Sequence, residues 1–503
     1  MKAILRTRGA ALVVAVGGGA LTVAGFAPLG AVPIPFATLA FLLILWRSSS
    51  SARDAFRIGF AFGAGLFGAG VSWVYVSLHD FGMMPAPLAA LGTLAFCTIL
   101  ALYPAGAGWC LFRLRPESSF GAVIAFAAVW TLFEWVRGWL FTGVPWLAAG
   151  YSQAGSPLAG FAPVAGVYGV SFVTVLCAGF LWVLVSGERR ARIASSLALV
   201  LVFGAGHLLS QISWTKPQGA PFRVALLQGN IPQDLKFQAE RYAATLATYR
   251  RMIEASRARL IVLPETAIPR FLDAVDPEYL KDIARIAVER NADVLIGVPV
   301  RDADGRYFNS VVSAGASPAQ RYDKSHLVPF GEFVPSGFGW VVKALTIPLS
   351  DFSLGPENPR PLALAGQRVA PNICWEDAFG EEIIRQLPEA TLLVNVSNVA
   401  WFGDSLAPSQ HLQISRMRAI ETGRTMLRAT NTGVTAIVDP HGQVVARLPQ
   451  FTEGVLSGEV LGYAGATPYV RFGNVPIVIL CLAGIAWLAL RRVRIVGRAG
   501  ESR

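Results

Sequence analysis

Three residues of complementary chemistry stand apart in the sequence. Cys374 lies in Arg368-Val-Ala-Pro-Asn-Ile-Cys-Trp-Glu-Asp377, Glu265 in Leu263-Pro-Glu-Thr266, and Lys324 in Tyr322-Asp-Lys-Ser-His-Leu-Val-Pro-Phe-Gly-Glu332. A thiol, a carboxylate and an amine, each ending or following a predicted strand, are the parts of a covalent acyl-transfer site. The thiolate is the reactive form of cysteine; a nearby ammonium favours it, and so does the dipole at a helix start. Lys324 would supply the first, and a helix predicted to begin near Asp377 the second. Glu265 would take the thiol proton and return it to a leaving group. Lys324 and backbone N–H groups would stabilise a tetrahedral oxyanion. Taken singly, each residue has a plainer reading: Cys374 as core filling, Glu265 as a helix cap, Lys324 as a solvated side chain.

The elements that must position these groups fall into two kinds. The chain has 503 residues, 53% hydrophobic and 15% charged, with a mean hydropathy of +0.49. Soluble domains carry roughly 25% charged residues, so much of this chain avoids water. The deficit is confined to residues 1–210 and to the C-terminal end. Apolar stretches long enough for membrane helices are read at Ala10–Ala27, Ala31–Trp46, Ile58–Leu78, Pro87–Phe112, Phe120–Leu140, Val164–Ser186, Ile193–Ser210 and Val475–Leu490, about eight in all. The first is read as an uncleaved helix, because no cleavage site follows it and another apolar span comes next.

The net charge of +11 is distributed in a way that argues against nucleic acid. Basic clusters flank the spans: Lys2, Arg6 and Arg8; Arg47, Arg53 and Arg57; Arg113 and Arg115; Arg189, Arg190 and Arg192; Arg491, Arg492, Arg494 and Arg498. They place both termini in the cytoplasm, by the excess of positive charge on that side. The loop His79–Pro85, free of Lys and Arg, and the polar segment 211–472 then lie outside, which in a Gram-negative bacterium is the periplasm. Four of the five cysteines sit in apolar stretches; Cys374 alone belongs to the polar segment, so no disulfide framework is expected. Glu134 and Arg137 share a helix face, either as a structural ion pair or as a contact for a lipid headgroup or the outer domain. Trp130, Trp135, Trp139, Trp146 and Tyr151 suit an interfacial aromatic belt.

The outer segment alternates helices and strands and reads as one α/β domain. Strands are expected at Phe222–Gln228, Arg259–Pro264, Asp293–Val298, Phe308–Ala314, Thr391–Val396, Thr435–Asp439 and Val455–Glu459. Helices are expected over Tyr242–Ile253, where apolar residues fall on one face, and over Pro277–Arg290, from Asp377, and over Ser409–Arg424. Linkers are expected at Gln211–Pro221 and Gly462–Pro468.

Leu263-Pro-Glu-Thr266, Tyr322-Asp-Lys324 and Asn372-Ile-Cys-Trp-Glu376 resemble the motifs of the nitrilase (carbon-nitrogen hydrolase) superfamily, whose fold is an αββα sandwich. Leu227-Gln-Gly-Asn-Ile-Pro-Gln233, His326-Leu-Val-Pro-Phe-Gly-Glu-Phe-Val-Pro335 and Phe141-Thr-Gly-Val-Pro-Trp146 look like strings of the apolipoprotein N-acyltransferase family, as does an outer domain inserted among membrane spans. The resemblance implies an acyl chain passed from a phospholipid, typically phosphatidylethanolamine, to the Cys374 thiol. From that thioester it would go to the α-amino group of the diacylglyceryl-cysteine of an apolipoprotein. By motif position Glu265 is the base, Lys324 the stabilising cation and Cys374 the nucleophile, with Glu332 and Glu376 as supporting acids. Phe237 stands where some members carry Trp over the site, and Trp375 where Tyr is common; both keep an aromatic surface, and both admit a core-packing reading. No metal, nucleotide or flavin is expected. Two other classes stay open: a membrane-tethered amidase or nitrilase that passes the acyl group to water, and a transporter with an outer binding domain.

Overall fold

The computed structural model describes residues 8–334 and 351–501. The basic residues Lys2 and Arg6 and the last residue of the string ending at Pro335 lie outside them. The chain divides into two compact units, one of Met1–Tyr75, Ala86–Ile212 and Arg471–Arg503, the other of Val76–Pro85 and Ser213–Val470.

The first unit is helical. Among the described residues, five helices are long and apolar enough to cross a membrane: Ala86–Leu114, Ser119–Arg137, Pro157–Ser186, Arg189–Ser210 and Val475–Arg492. A sixth arises if Ala52–Gly70 and Trp73–Phe81, bent by 50° at their junction, count as one span. The expected eight are therefore not reached. The first two apolar stretches form the shorter helices Gly9–Gly25 and Pro33–Arg47, the second starting on Pro33 at its first turn, where proline's fixed φ fits. At 1.5 Å per residue, 17 residues make roughly 25 Å against a hydrocarbon thickness of roughly 30 Å.

Glu134 and Arg137 are both buried and both hold the segment after their helix. The Arg137 guanidinium donates to the carbonyls of Val144 and Trp146, while Glu134 Oε1 accepts from Ala149 N and Trp130 Nε1, each at 2.8 Å. Backbone groups without a helical partner are thus satisfied by a charge pair at i, i+3, which favours the structural reading. Trp130, Trp146 and Tyr151 are at most 5% exposed, so they are bundle interior and not a surface belt. Trp130 is locked there by its bond to Glu134 and by ring contacts with Trp46, Phe62 and Phe126. Trp139, 52% exposed, keeps the surface position.

Among the described residues, the second unit has twelve strands: β1 Lys216–Gln228, β2 Leu260–Val262, β3 Asp293–Arg301, β4 Tyr307–Gly315, β5 Arg321–Asp323, β6 Leu362–Leu364, β7 Gln367–Ile373, β8 Leu392–Ser397, β9 Met426–Thr430, β10 Ala436–Val438, β11 Val444–Arg447 and β12 Gly454–Ala464. They form two six-stranded sheets, β12-β1-β2-β3-β4-β5 and β11-β10-β9-β8-β7-β6. Each has a parallel centre, β1-β2-β3 or β7-β8-β9, with antiparallel strands outside. Val224, Leu226, Val262 and Leu295 of one sheet pack directly on Ile373, Val394, Val396 and Leu427 of the other. Opposite faces carry the helices Ala239–Ala255 and Pro277–Glu289 on one side and Ala407–Thr422 on the other. The result is the αββα sandwich. The expected linker Gln211–Pro221 is half strand, because Lys216–Gln218 pair with Gly462–Ala464 across a bulge. Strand β9, and the short β5, β6 and β11, were not expected; three or four residues carry too little period to be recognised.

Gly297 on β3 lies where the backbone after β2 must pass. A Cβ there would meet Pro264 O at 2.2 Å and Glu265 Cα at 2.8 Å. Because both obstacles are main chain, Gly297→Ala is expected to destabilise the protein by about 1–3 kcal/mol. Thermal unfolding beside the wild type measures this, and an unchanged midpoint would disprove the close approach.

Candidate active site

Parallel strands send their C-terminal ends to one edge of a sheet, and loops leaving that edge converge. Glu265 follows β2, Asn398 follows β8 and Cys374 follows β7. Lys324 follows the antiparallel β5, where Lys324 N donates to Asn309 O at 2.9 Å. The three expected residues and Asn398 thus come from four different strand ends, two in each sheet.

Lys324 is 1% exposed. Its ammonium is clasped by both Glu332 oxygens at 2.8 and 2.9 Å and lies 3.8 Å from Glu265 Oε1. Burial alone would discharge it, but Glu332 and Glu265 outweigh that and hold it above its ordinary value. Asn309 Nδ2 joins the two acids, donating at 2.7 Å to Glu265 and at 2.7 Å to Glu332. The second Glu265 oxygen accepts from Asn398 N at 2.7 Å. The residue after it, Thr266, takes φ +49°, which turns the chain sharply away.

Cys374 takes φ +56°, in the left-handed region that costs about 1–3 kcal/mol for a non-glycine residue. Two sets of bonds hold it there. Glu376 Oε2 accepts from Ile373 N at 2.6 Å and Tyr322 Oη at 2.9 Å, while its Oε1 accepts from Ser325 N, Ser325 Oγ and His326 N at 2.7–3.0 Å. One carboxylate therefore binds the cysteine turn to the lysine loop. Behind the turn, Asn395 Nδ2 donates to Cys374 O at 2.8 Å, and Arg428 donates to Asn395 Oδ1 at 2.6 Å. The helix expected from Asp377 is only a 3₁₀ turn, Cys374–Ala378, followed by the four-residue Gly380–Ile383, too short for the dipole the sequence reading invoked. Burial, with Glu265 next, pushes the thiol well above its usual range against the pull of Lys324 and Arg428. At rest Cys374 is therefore held as the protonated thiol.

Of the two acids expected to support the site, Glu332 bonds the Lys324 ammonium and Glu376 bonds the cysteine turn. Trp375 packs partly on the sandwich core and against the rings of His326 and Phe379. Phe237 does not: it is 49% exposed, so core packing is excluded for it. Sequence reasoning missed Asn309, Asn398, Asn395 and Arg428. The run Asn395-Val-Ser-Asn398 at a strand end was the available signal, since buried amides seldom sit there without polar partners. Among the described residues no group of three or more His, Cys, Asp or Glu is placed to hold a metal ion.

Five donors on one carboxylate make Glu376 sensitive. In Glu376→Gln an amide NH₂ would face donors, and loss of bonds to a charged acceptor costs about 1.5–3 kcal/mol each; denaturant unfolding should show a clear drop, and stability equal to wild type would contradict the bracing role.

The buried Asp377 and His411 set an acid limit. Burial raises the Asp377 pKa, but His411 and Arg428 outweigh it and leave it low; burial, then Arg428, keeps His411 below 6.5. Both pKa values are depressed in the fold, so both contribute stability that is lost as pH falls, His411 from about pH 6.5 and Asp377 in the carboxylate range. Melting temperature should fall on acidification from about pH 7 to about pH 5, and less steeply in His411→Gln; an equal slope would remove His411 from this account.

Comparison with known proteins places these groups in a family. The profile of the apolipoprotein N-acyltransferase N-terminal domain matches residues 18–180, and that of carbon-nitrogen hydrolase matches residues 223–469. The chain is 53% identical to the apolipoprotein N-acyltransferase of Nitrosomonas europaea over 475 residues, covering 94% of this chain and 95% of that one. Identity to the enzyme of the same name from Ralstonia nicotianae is 47% over 462 residues, 89% and 88% of the two chains. For that from Methylococcus capsulatus it is 44% over 496 residues, 96% of each. With this likeness running through nearly its whole length, the chain belongs to the apolipoprotein N-acyltransferase family of enzymes.

Proposed function

We propose that the protein moves an acyl chain from a membrane phospholipid, phosphatidylethanolamine being the expected donor, onto the α-amino group of the diacylglyceryl-cysteine of apolipoproteins, by way of a thioester on Cys374. The observation that carries this reading is the buried set of Glu265, Lys324 and Glu332 bearing on a cysteine held at positive φ. Glu265 takes the thiol proton as sulfur attacks the sn-1 ester carbonyl, and Lys324 with backbone N–H groups steadies the oxyanion. The ester C–O bond breaks, the proton passes from Glu265 to the departing oxygen, and a lysophospholipid leaves. The acceptor amine then attacks the thioester carbonyl and loses a proton to Glu265. The C–S bond breaks and the thiolate recovers the proton.

Segments 1–210 and 473–503 are the membrane part in this reading, and 211–472 the catalytic domain on the periplasmic side of the inner membrane. Anchoring at both ends keeps the thiol near two lipid-borne substrates and raises their effective concentration. Phe237 and Trp375 are aromatic surfaces available to substrate.

The test uses the purified full-length protein and phospholipid labelled in its acyl chain. Label is expected on the Cys374 peptide and then, with a diacylated acceptor peptide added, as a new amide on that peptide. Free fatty acid in place of the amide would identify a hydrolase. Cys374→Ala should form no thioester and Cys374→Ser almost none, since an alcohol ionises far less than a thiol. Glu265→Gln should slow both half-reactions, and Lys324→Met should lower acylation by roughly 100- to 1000-fold, the cost of a lost oxyanion donor. Wild-type activity in Cys374→Ala would refute the assignment.

A further inference from the structure

A second lysine is buried among these groups. Lys236, in the loop between β1 and the helix Ala239–Ala255, is 2% exposed. Among the described residues its ammonium makes one hydrogen bond, to Glu265 O at 3.2 Å. An ammonium has three N–H donors and is costly to bury with a single acceptor, so its place calls for compensation by charge.

Asn398, which holds Glu265, also holds the loop, together with Asn431, whose Nδ2 donates to Asn398 Oδ1. Asn431 receives Ile231 N and donates to Ile231 O, while Asn398 donates through Nδ2 to Gln233 Oε1 at 2.8 Å and through its backbone N to Glu265. The position of Lys236 is thus tied to the position of Glu265. The charges that act on its ammonium are those of Glu265 and Cys374. The thiol itself also feels Lys324, Glu332 and Arg428. Lys324 is clasped by both oxygens of Glu332 and Arg428 is engaged by Asp377 and Asn395. Lys236 is a further buried cation beside Glu265, with no carboxylate clasping it among the described residues.

We propose that Lys236 is a positioning residue of the acylation step, fixing Glu265 through its carbonyl and holding with its charge the single negative charge that Glu265 and Cys374 share. The inference rests on Cys374 being the nucleophile. Before the thiol proton moves, the charge sits on Glu265; afterwards it sits on sulfur. A cation near both favours the shared negative charge wherever the proton lies. Burial brings the ammonium down to about 8, against the pull of Glu265 and Cys374, so the charge is present at neutral pH and is lost as pH rises through that value.

The experiment follows iodoacetamide alkylation of Cys374 in the full-length protein, read on its peptide by mass spectrometry, from about pH 6 to about pH 10. In Lys236→Met the rate at neutral pH is expected to fall about ten-fold, the effect of one pKa unit on the shared ionisation. Lys236→Arg, charged throughout, should keep the neutral-pH rate within about three-fold and lose the break in the wild-type profile near pH 8. A Lys236→Met profile superimposed on wild type overturns the proposal. So does a Lys236→Arg profile that retains the break, a result available even if Lys236→Met does not fold. Equal loss in both variants would assign Lys236 a structural part only and also overturns it. Labelled phospholipid failing to mark Cys374 in the wild type would instead refute the nucleophile assignment, a separate outcome.

Discussion

A cation buried at 1% exposure must be matched by negative charge, and the Lys324 ammonium organises this domain on that account. Its desolvation would outweigh any use it has if Glu332 did not meet it with both oxygens and Glu265 did not stand at 3.8 Å. Each acid then needs its own donors, which brings in Asn309 and the backbone of Asn398. Compensation spreads outward from one charge. The same low-dielectric surroundings make any charge that develops on a substrate oxygen strongly felt.

The cysteine turn depends on a different kind of constraint. Cys374 sits at a backbone angle that its side chain disfavours, and the turn persists because stronger bonds surround it. Glu376 gathers donors from the residue before the cysteine and from three residues of the lysine loop. Asn395 and Arg428 hold the cysteine carbonyl from behind. Strain in the turn is thereby carried by the two loops together, so the thiol and the cation cannot shift independently. Burial, with Glu265 next, pushes the Cys374 thiol well above its usual range, so the sulfur rests protonated.

The sandwich explains why such distant parts of the chain can be held to this tolerance. Each sheet has three parallel strands at its centre, and the chain leaves them at their C-terminal ends, in the order strand-helix-strand-helix-strand-strand, once for each sheet. Glu265 and Cys374 are the first residues beyond two such strands, or nearly so, and inherit the rigidity of a core in which Val262 and Ile373 are fully buried.

What the sequence determined by itself were the features encoded locally. Period and composition showed the strands that are long and apolar, the amphipathic helices Ala239–Ala255 and Pro277–Glu289, and the apolar character of the N-terminal half. Short motifs showed Glu265, Lys324, Cys374 and the supporting acids, because their neighbours Pro264, Asp323 and Trp375 stand in fixed spacing. Only the tertiary structure decided what long-range partners decide. The helix expected after Cys374 gave way to a 3₁₀ turn in which Glu376, two residues on, folds back to accept from Ile373 N. Trp130, Trp146 and Tyr151, assigned to a surface belt, are interior; Trp130 is held there by Glu134 and neighbouring rings. Asn309, Asn398, Asn395 and Lys236 are ordinary residues in sequence; they matter because the fold brings them from separate loops onto the same two charges, and no local pattern records a partner more than a hundred residues away, as Asn398 is from Glu265.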